Sequence, residues 1–506
     1  MVLGQTLLVC ALITLPLFYT LVPPLEDYPN HLARMFVLAH LHDNAPLSHF
    51  YEAAWSPIPN LIMDLIVPPL VQWLGIYTAG RIFIALTLLL LLLGPMALHR
   101  ALYRNWSAWP LVAGVFVYNG FLFLGLMNYL FGIGVAVFGL TAWIAAAEKP
   151  TPLRIVISLA FCAILYVCHL AALGMYGLAI ASFEAWRQWQ RRPWRIASLV
   201  ASATALVLPM LPFLYILSSS PTWQLSRENF WESQGKLGAI TLFLSVYSDL
   251  ADIPFLILIA LAIGTAIRRG LVRFHPAGLV IAATTFAAFL IMPEKAFGSW
   301  YADQRLIVGI FFLTLGFISV DLRKLENQNA FFVICLVTIA FRAVDVSVNW
   351  SELSQPILEL QHSFHSIEPG SRLLVTQVDN LGEGHIESAL SHAPNLAVIE
   401  RSALASRLFV VPGKQILQVR AAYHDQVDTE DNDTPTISQV IAATRASADP
   451  DIDVPYWSRW PELYDYLIVL GTDPDDSENP APDLLQIVHA GRGFDLYKIK
   501  HTLQGL

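Results

Sequence analysis

Long apolar runs recur along the first 349 residues of the chain. A helix needs about 20 mostly apolar residues to cross the hydrocarbon core of a membrane. Eleven runs approach that length, so the pattern predicts a polytopic bundle of transmembrane helices. They cover residues 3–22, 79–98, 106–123, 126–146, 154–170, 171–187, 196–217, 253–268, 275–292, 304–321 and 329–347. The first run has no basic flank and no small-residue cleavage site, so we interpret it as an uncleaved anchor.

The pattern changes after residue 349, where short alternating segments replace the long runs. These segments predict a small α/β domain over residues 350–506, separate from a membrane domain over residues 1–349. The predicted strands cover 372–378, 396–400, 466–470, 485–489 and 494–499, and the predicted helices cover 381–392 and 437–447.

A long connection over residues 23–78 follows the first apolar run. Two segments within it read as helices: the amphipathic His31–His42 and the apolar Pro59–Leu74, which Pro68 and Pro69 interrupt. Their apolar faces suit helices that lie along the membrane interface.

Composition supports a membrane protein. Of 506 residues, 56% are hydrophobic and only 14% are charged, whereas a soluble domain carries about 25% charged residues. Residues 1–349 hold 20 basic and 16 acidic residues, and residues 350–506 hold 10 and 23. The acidic C-terminal segment argues against a nucleic-acid partner, because nucleic acids bind cationic surfaces.

The basic residues also predict an orientation. Every second connection is short and basic, and basic connections face the cytoplasm. This places the N-terminus inside and the C-terminal segment outside. The 13 residues concerned are Arg100, Arg104, Lys149, Arg154, Arg187, Arg191, Arg192, Arg195, Arg268, Arg269, Arg273, Arg323 and Lys324.

The strongest candidate site follows the first apolar run directly, in the segment Glu-Asp-Tyr-Pro-Asn-His-Leu-Ala-Arg. Glu26 and Asp27 are adjacent carboxylates, and His31 and Arg34 lie three apart on one helix face. A carboxylate here can act as a general base or hold a divalent cation, and the two cationic groups can bind a phosphate. The alternative is an interfacial helix with a local salt bridge.

Two further candidates lie at predicted outer ends of apolar runs. Arg305 could bind a phosphate and Asp303 could hold that arginine in place; the alternative is an interfacial anchor. His169 stands in an otherwise apolar segment, where a structural histidine is the alternative.

Other polar residues favour no function. Glu228, Glu232 and Lys236 have the spacing of a solvated helix face. Several C-terminal residues match no metal-binding spacing and are predicted to lie on the surface. They are His362, His365, His385, His392 and Asp379.

The order of these features resembles the GT-C superfamily of integral-membrane glycosyltransferases. The resemblance rests on the uncleaved first span, the acidic Glu26–Asp27 motif, the long outer loop, the many spans and the C-terminal outer domain. Within the superfamily, the chain is similar to bacterial members of unassigned substrate whose first loop reads Asp-Tyr-Pro-Asn-His-Leu-Ala-Arg.

The resemblance implies inverting transfer of a sugar from a polyprenyl-phosphate donor, outside the bacterial cytoplasmic membrane. The acceptor would be an envelope lipid, glycan or protein. By motif position the role of base or metal ligand falls on Asp27, with Glu26 beside it, and a divalent cation would bind these two. Stabilisation of the lipid phosphate would fall on Arg34, Arg305, His31 and His169.

Two other classes of function remain open from the sequence. A transporter or flippase for a lipid-linked or small polar solute would need charges in mid-span and broken helices in paired halves. A non-catalytic assembly protein would use its C-terminal segment to bind a partner. The charges cluster at the predicted outer face, which favours surface chemistry.

Overall fold

A computed structural model describes residues 1–506 except 233–234, 248, 323–324, 383, 431, 445–454, 474–477 and 502–506. The basic residues Arg323 and Lys324 and the end of the predicted helix 437–447 therefore lie outside the described residues. The chain forms two compact units. The first comprises Met1–Tyr19, Pro57–Met63 and Ile82–Asn349, and the second comprises Thr20–Ser56, Asp64–Arg81 and Trp350–Leu506.

The first unit is almost entirely helical. Its helices are Val2–Thr14 (α1), Gly120–Phe123 (α6), Met127–Ala145 (α7), Thr151–Cys168 (α8), Leu170–Gln190 (α9), Ile196–Val207 (α10), Leu211–Ser218 (α11), Gly235–Leu244 (α12), Asp249–Arg268 (α13), Pro276–Ile291 (α14) and Leu306–Leu315 (α15). A short antiparallel ribbon joins Val272–Phe274 (β2) to Ile318–Val320 (β3).

The second unit combines helices with sheets. Its helices are Tyr28–His40 (α2), Ala45–Phe50 (α3), His385–Leu390 (α17), Leu396–Arg401 (α18), Ile437–Ala443 (α19) and Trp460–Leu463 (α20). Three further helices contain a unit boundary: Ile62–Leu74 (α4), Ile76–Tyr103 (α5) and Leu325–Ser363 (α16).

The helices confirm the predicted fold class, a mainly helical membrane bundle with a C-terminal α/β part. Among the described residues, five helical stretches are long and apolar enough to cross a membrane, and several apolar helices are shorter. The five are Ile76–Tyr103, Met127–Ala145, Thr151–Cys168, Ile196–Ser218 and Gln328–Ser366. The number of eleven spans and their orientation stay predictions.

The predicted spans 106–123 and 304–321 do not form single long helices. Residues 106–123 form a 3-10 turn, Trp109–Val115, followed by the four-residue α6. Asn119 interrupts this run, because its side chain accepts the backbone N–H groups of Phe121 and Leu122 and so begins a new helix. Residues 304–321 form the ten-residue α15 and then β3.

A five-stranded mixed sheet organises the C-terminal part of the second unit. Its strand order is Leu404–Ala405 (β5), Arg372–Gln377 (β4), Tyr466–Leu470 (β7), Phe494–Ile499 (β9) and Leu485–Gly491 (β8). The first three strands are parallel, and β7, β9 and β8 are antiparallel. Strand β7 is buried at every position, so it forms the centre of the sheet.

Of the five strands predicted from the sequence, four are strands of this sheet and one is wrong. Residues 396–400 lie in helix α18, although their apolar residues suggested a strand. The run is short, and a short apolar run does not distinguish a buried helix from a buried strand. The predicted helix 381–392 is limited to the six residues of α17.

The predicted first-loop helix is real and becomes part of the second unit's core. Ala33 and Val37 of α2 lie in one buried apolar cluster with Val398 of α18. Strand Tyr51–Ala53 (β1) also pairs with Leu417–Val419 (β6), in an antiparallel ribbon. The loop and the C-terminal segment therefore fold together. The expected location of these helices at the membrane interface stays a prediction.

Candidate active site

Helix α2 positions the first group of polar side chains. Asp27 precedes it, and the Asp27 carbonyl accepts the His31 N–H at 3.0 Å, which closes the first turn. Pro29 is tolerated in this turn, because the first helical N–H groups have no partner within the helix. Asp27, Asn30 and Arg34 recur at intervals of three and four residues, so they lie along one side of the helix.

Asn30 is completely buried and makes hydrogen bonds with both ends of its amide. Its Oδ1 accepts the Phe409 N–H at 2.8 Å. Its Nδ2 donates to the Arg407 carbonyl at 2.8 Å and contacts Nδ1 of His392 at 3.1 Å. The bond from Phe409 fixes which end of the amide is the oxygen, so Nδ2 is the donor to His392.

His392 brings the C-terminal segment to the first-loop motif. Its Nε2 lies 3.4 Å from Oδ1 of Asp27. The prediction that His392 is a surface residue was wrong, because its side chain is only 12% exposed. Asn30 and His392 are 362 residues apart, and no local spacing in a single sequence marks such a contact.

Glu26 has a separate partner, because its Oε2 accepts a hydrogen bond from the Ser388 hydroxyl at 3.1 Å. Burial raises the pKa of the Glu26 carboxyl, and the hydrogen bond from Ser388 opposes that rise. The adjacent carboxylates therefore differ in surroundings: Asp27 faces an imidazole, and Glu26 faces a hydroxyl.

Arg34 and His31 lie deeper in the second unit. Arg34 pairs with Asp64 at 2.9 Å, with side chains 1% and 0% exposed. Within the described part of the chain, Nε and Nη1 of Arg34 and Oδ1 of Asp64 have no hydrogen-bond partner. His31 is buried with its ring centroid 5.7 Å from that of Phe409. Both residues were predicted to bind a phosphate, and these roles stay predictions.

The second group of polar side chains lies in the first unit, where His169 joins α8 to α9. Its backbone is extended, which ends one helix and starts the next. Its Nδ1 accepts the Ala171 N–H at 3.1 Å and so caps α9. Its Nε2 lies 2.9 Å from Nη1 of Arg305.

This contact joins Arg305, which can only donate, to an imidazole nitrogen. A neutral imidazole has one acceptor nitrogen and one N–H, so His169 accepts from Ala171 at Nδ1 or from Arg305 at Nε2, but not from both. We call His169 and Arg305 the donor pair. In the form that is capped at Nδ1, Nε2 carries the proton, and an anionic oxygen beside the two nitrogens would accept from both.

Arg305 is held in place by the segment before α15. Its Nε donates to the Tyr301 carbonyl at 3.0 Å, and its Nη2 donates to the Trp300 carbonyl. The Arg305 carbonyl accepts the Tyr129 hydroxyl at 2.5 Å. Tyr301 has a φ of +57°, which turns the chain so that the carbonyls reach the guanidinium.

Asp303 pairs with Lys236 at 2.6 Å and is completely buried. Lys236 Nζ also donates to the carbonyls of Met292 and Phe289, at 2.8 and 3.1 Å. The predicted helix face of Glu228, Glu232 and Lys236 is wrong, because α12 begins only at Gly235.

The structure thus divides the predicted site residues into two groups. Glu26, Asp27, His31 and Arg34 belong to the second unit; His169, Asp303 and Arg305 belong to the first.

A divalent cation does not fit the described residues well. Among them, no group of three histidine, cysteine or acidic side chains could hold a metal ion. Around Asp27 and Glu26 the neighbouring polar groups are the imidazole of His392 and the hydroxyl of Ser388.

The fold is similar to that of ArnT from Cupriavidus metallidurans, solved in the apo state and bound to undecaprenyl phosphate. The TM-score is 0.53 and the sequence identity 14% with both structures. The similarity covers 99% of each chain for the apo structure, and 100% of this chain and 99% of ArnT for the other. No protein-family model and no curated protein matches the chain. The shared fold and the apolar helices indicate an integral membrane protein.

Proposed function

We propose that this protein is a membrane glycosyltransferase that takes a sugar from a polyprenyl-phosphate donor and transfers it to an envelope lipid, glycan or protein. The proposal is supported by the similarity to ArnT, which covers 99% of this chain and extends to a structure solved with undecaprenyl phosphate, and by the resemblance of the sequence to GT-C glycosyltransferases. The site of action proposed is the outer side of the bacterial cytoplasmic membrane.

The donor pair is the observation that carries the proposal. Nη1 of Arg305 and Nε2 of His169 lie 2.9 Å apart, and when His169 is capped at Nδ1 both nitrogens can donate to one acceptor beside them. A phosphate oxygen is such an acceptor, and arginine is well suited to phosphate binding. ArnT was solved with undecaprenyl phosphate, a lipid phosphate of the proposed class. We assign the donor pair to the phosphate of the donor lipid.

Asp27 is the proposed general base. An acceptor hydroxyl attacks the anomeric carbon of the sugar, and the bond from that carbon to the lipid phosphate oxygen breaks. Asp27 takes the hydroxyl proton, and the lipid phosphate leaves with the bonding electron pair. Stabilisation of the negative charge that develops on the leaving phosphate is the second requirement of this step. Proton transfer by a positioned side chain contributes about 10²- to 10⁴-fold to a rate.

The test is comparative mass spectrometry of envelope lipids, glycans and glycoproteins from a deletion strain. The strain is complemented with the wild type, Asp27→Asn, Glu26→Gln or Asp43→Asn. Asp43 is the matched control, because it lies in the same loop with its side chain 63% exposed. We expect one glycan to lose a sugar in the deletion strain. Wild type and Asp43→Asn should restore it and Asp27→Asn should not; the mass lost identifies the sugar class.

The opposite result would redirect the assignment. If Asp27→Asn restores every glycan, Asp27 is not the base, and transport or assembly becomes the better explanation. If the deletion changes no glycan but alters the distribution of a lipid-linked precursor across the membrane, the protein moves that lipid.

A further inference from the structure

The C-terminal segment contacts the first-loop motif through His392, which lies beside Asp27 and Asn30. Asp27, Asn30 and His392 all belong to the second unit, so their geometry is internal to one compact body. We propose that Asn30 and His392 form a positioning relay that fixes the imidazole proton on Nε2 and directs it at the Asp27 carboxylate. The inference deepens the proposed function, because it rests on Asp27 as the base.

The relay begins at Asn30, whose amide has a single possible orientation. Its oxygen accepts the Phe409 N–H, and one of its N–H groups is bound by the Arg407 carbonyl. The remaining N–H points to Nδ1 of His392 at 3.1 Å. Nδ1 must therefore accept, and a neutral imidazole that accepts at Nδ1 carries its proton at Nε2.

The second step runs from His392 to Asp27. Nε2 lies 3.4 Å from Oδ1 of Asp27, slightly longer than an optimal hydrogen bond. Such contacts in unliganded sites often tighten when substrate binds. The N–H group at Nε2 faces the carboxylate and orients it.

Packing holds the relay in place. The Phe409 ring lies edge-on to two imidazoles, with centroids 5.0 Å from His392 and 5.7 Å from His31. Asn30 is completely buried, and a buried amide with all of its bonds made is costly to rotate. The C-terminal segment thus supplies a working part of the site, in addition to any cover that it provides.

The experiment measures transfer by purified variants added to membranes of the deletion strain, which contain the natural donor and acceptor. The product is the glycan identified by the complementation experiment. His392→Ala is expected to lower kcat about ten- to a hundredfold with little change in KM, because it removes a hydrogen bond to a charged group. Added imidazole and the variant His392→Gln should both restore part of the rate, since each supplies an N–H near the position of Nε2. Asn30→Ala should lower kcat in the same sense.

His365→Ala is the matched control, because His365 is an exposed histidine of the same unit and its Nδ1 bonds the His362 carbonyl of its own turn. It should keep the wild-type rate. If His392→Ala retains full activity while Asp27→Asn is inactive, the relay is wrong and the proposed function stands. A loss that neither imidazole nor His392→Gln repairs assigns His392 to packing and also overturns the relay.

A second measurement is independent of activity. Nitrogen-15 NMR of ring-labelled histidine, with His392 assigned by its absence in His392→Gln, reports which ring nitrogen carries the proton. We expect the Nε2–H form in the wild type and a mixture in Asn30→Ala. A dominant Nδ1–H form would overturn the relay. If Asp27→Asn is fully active but His392 is the Nε2–H form, the proposed function fails and the relay's geometry is upheld.

Discussion

Two buried arginines of this protein have the same predicted role and different partners. Arg34 lies 2.9 Å from a carboxylate, that of Asp64, and Arg305 lies 2.9 Å from an imidazole, that of His169. Both guanidinium groups are almost fully buried. The Arg34 guanidinium has its counter-charge, Asp64, within its own unit, whereas the Arg305 guanidinium lies beside an imidazole nitrogen.

In the proposed function, this difference separates a structural cation, Arg34, from the proposed phosphate-binding cation, Arg305. A buried ion pair such as Arg34–Asp64 satisfies part of its own charge, and breaking it is costly. The sequence does not distinguish the two arginines, because both stand beside polar residues near the predicted ends of apolar runs. Their different partners in the folded protein are the basis for proposing Arg305 as the phosphate ligand.

The largest expected effect comes from removing the counter-charge of Arg34. Asp64→Leu leaves a buried arginine without its carboxylate, which should destabilise the protein by about 3–5 kcal/mol. The double variant Arg34→Met/Asp64→Leu should recover most of that loss, since it removes both charges. The thermal unfolding midpoint of purified protein measures the difference.

Glu52→Leu is the control for this prediction. Glu52 pairs with Arg420 in the same unit, and both side chains are 47% exposed. Exposed pairs contribute about 0–1 kcal/mol, so this variant should unfold close to the wild type. If the double variant is as unstable as Asp64→Leu, Arg34 is not a structural cation of the kind described, and the comparison fails.

A smaller effect is expected at the donor pair. His169→Asn keeps an acceptor oxygen near the position of Nδ1, so α9 stays capped, but it removes the Nε2–H group. Binding of undecaprenyl phosphate should weaken about tenfold, which corresponds to about 1.4 kcal/mol for one hydrogen bond to a charged group. Native mass spectrometry or a binding titration with undecaprenyl phosphate measures the change.

The chain contains a close control for that substitution. His275 caps α14 in the same way, with Nδ1 accepting the Ala277 N–H at 3.2 Å. His275→Asn should leave undecaprenyl phosphate binding unchanged. Equal weakening by both substitutions would show that the cap, and not the second donor, supports the lipid phosphate.

The smallest effect concerns Glu26 and pH. The pKa of Glu26 is higher in the folded protein than in the unfolded chain. Protonation of Glu26 therefore favours the folded state. This stabilisation is fully present below the unfolded pKa and is lost as the pH rises through the folded pKa. Glu26→Gln removes that loss. Relative to the wild type, its unfolding midpoint should be unchanged near pH 4 and higher by about 1–2 °C near pH 8. If the unfolding midpoints of Glu26→Gln and the wild type differ by the same amount at both pH values, the raised pKa of Glu26 is contradicted.

Much of the fold follows from local pattern. The apolar runs predict the long helices, and the short strand-like segments after residue 349 predict β4, β7, β8 and β9 correctly. The pattern fails at residues 106–123, where the Asn119 side chain starts a new helix. It also fails at residues 396–400, because so short an apolar run shows neither the helical nor the strand periodicity. In both places side-chain hydrogen bonds or packing outweigh hydropathy.

The candidate site divides in the same way. The Glu26–Asp27 motif and Arg305 stand out because charged residues are costly beside apolar runs. His392, Ser388 and Phe409 do not, because their importance comes from contacts with residues more than 300 positions earlier. Asp64 is missed for a related reason, since its partner Arg34 lies 30 residues away in another helix.

The pairing of β1 with β6 also sets an order of events during synthesis. A ribosome adds about 5–20 residues per second. Asn30 and His392 are 362 residues apart, so the first loop emerges roughly 20–70 s before its partners exist. During that interval β1 has an open edge, and the apolar face of α2 has no cover from α18. A ribosome that stalls before residue 390 would therefore leave a nascent chain that is open to chaperones and proteases at its first loop.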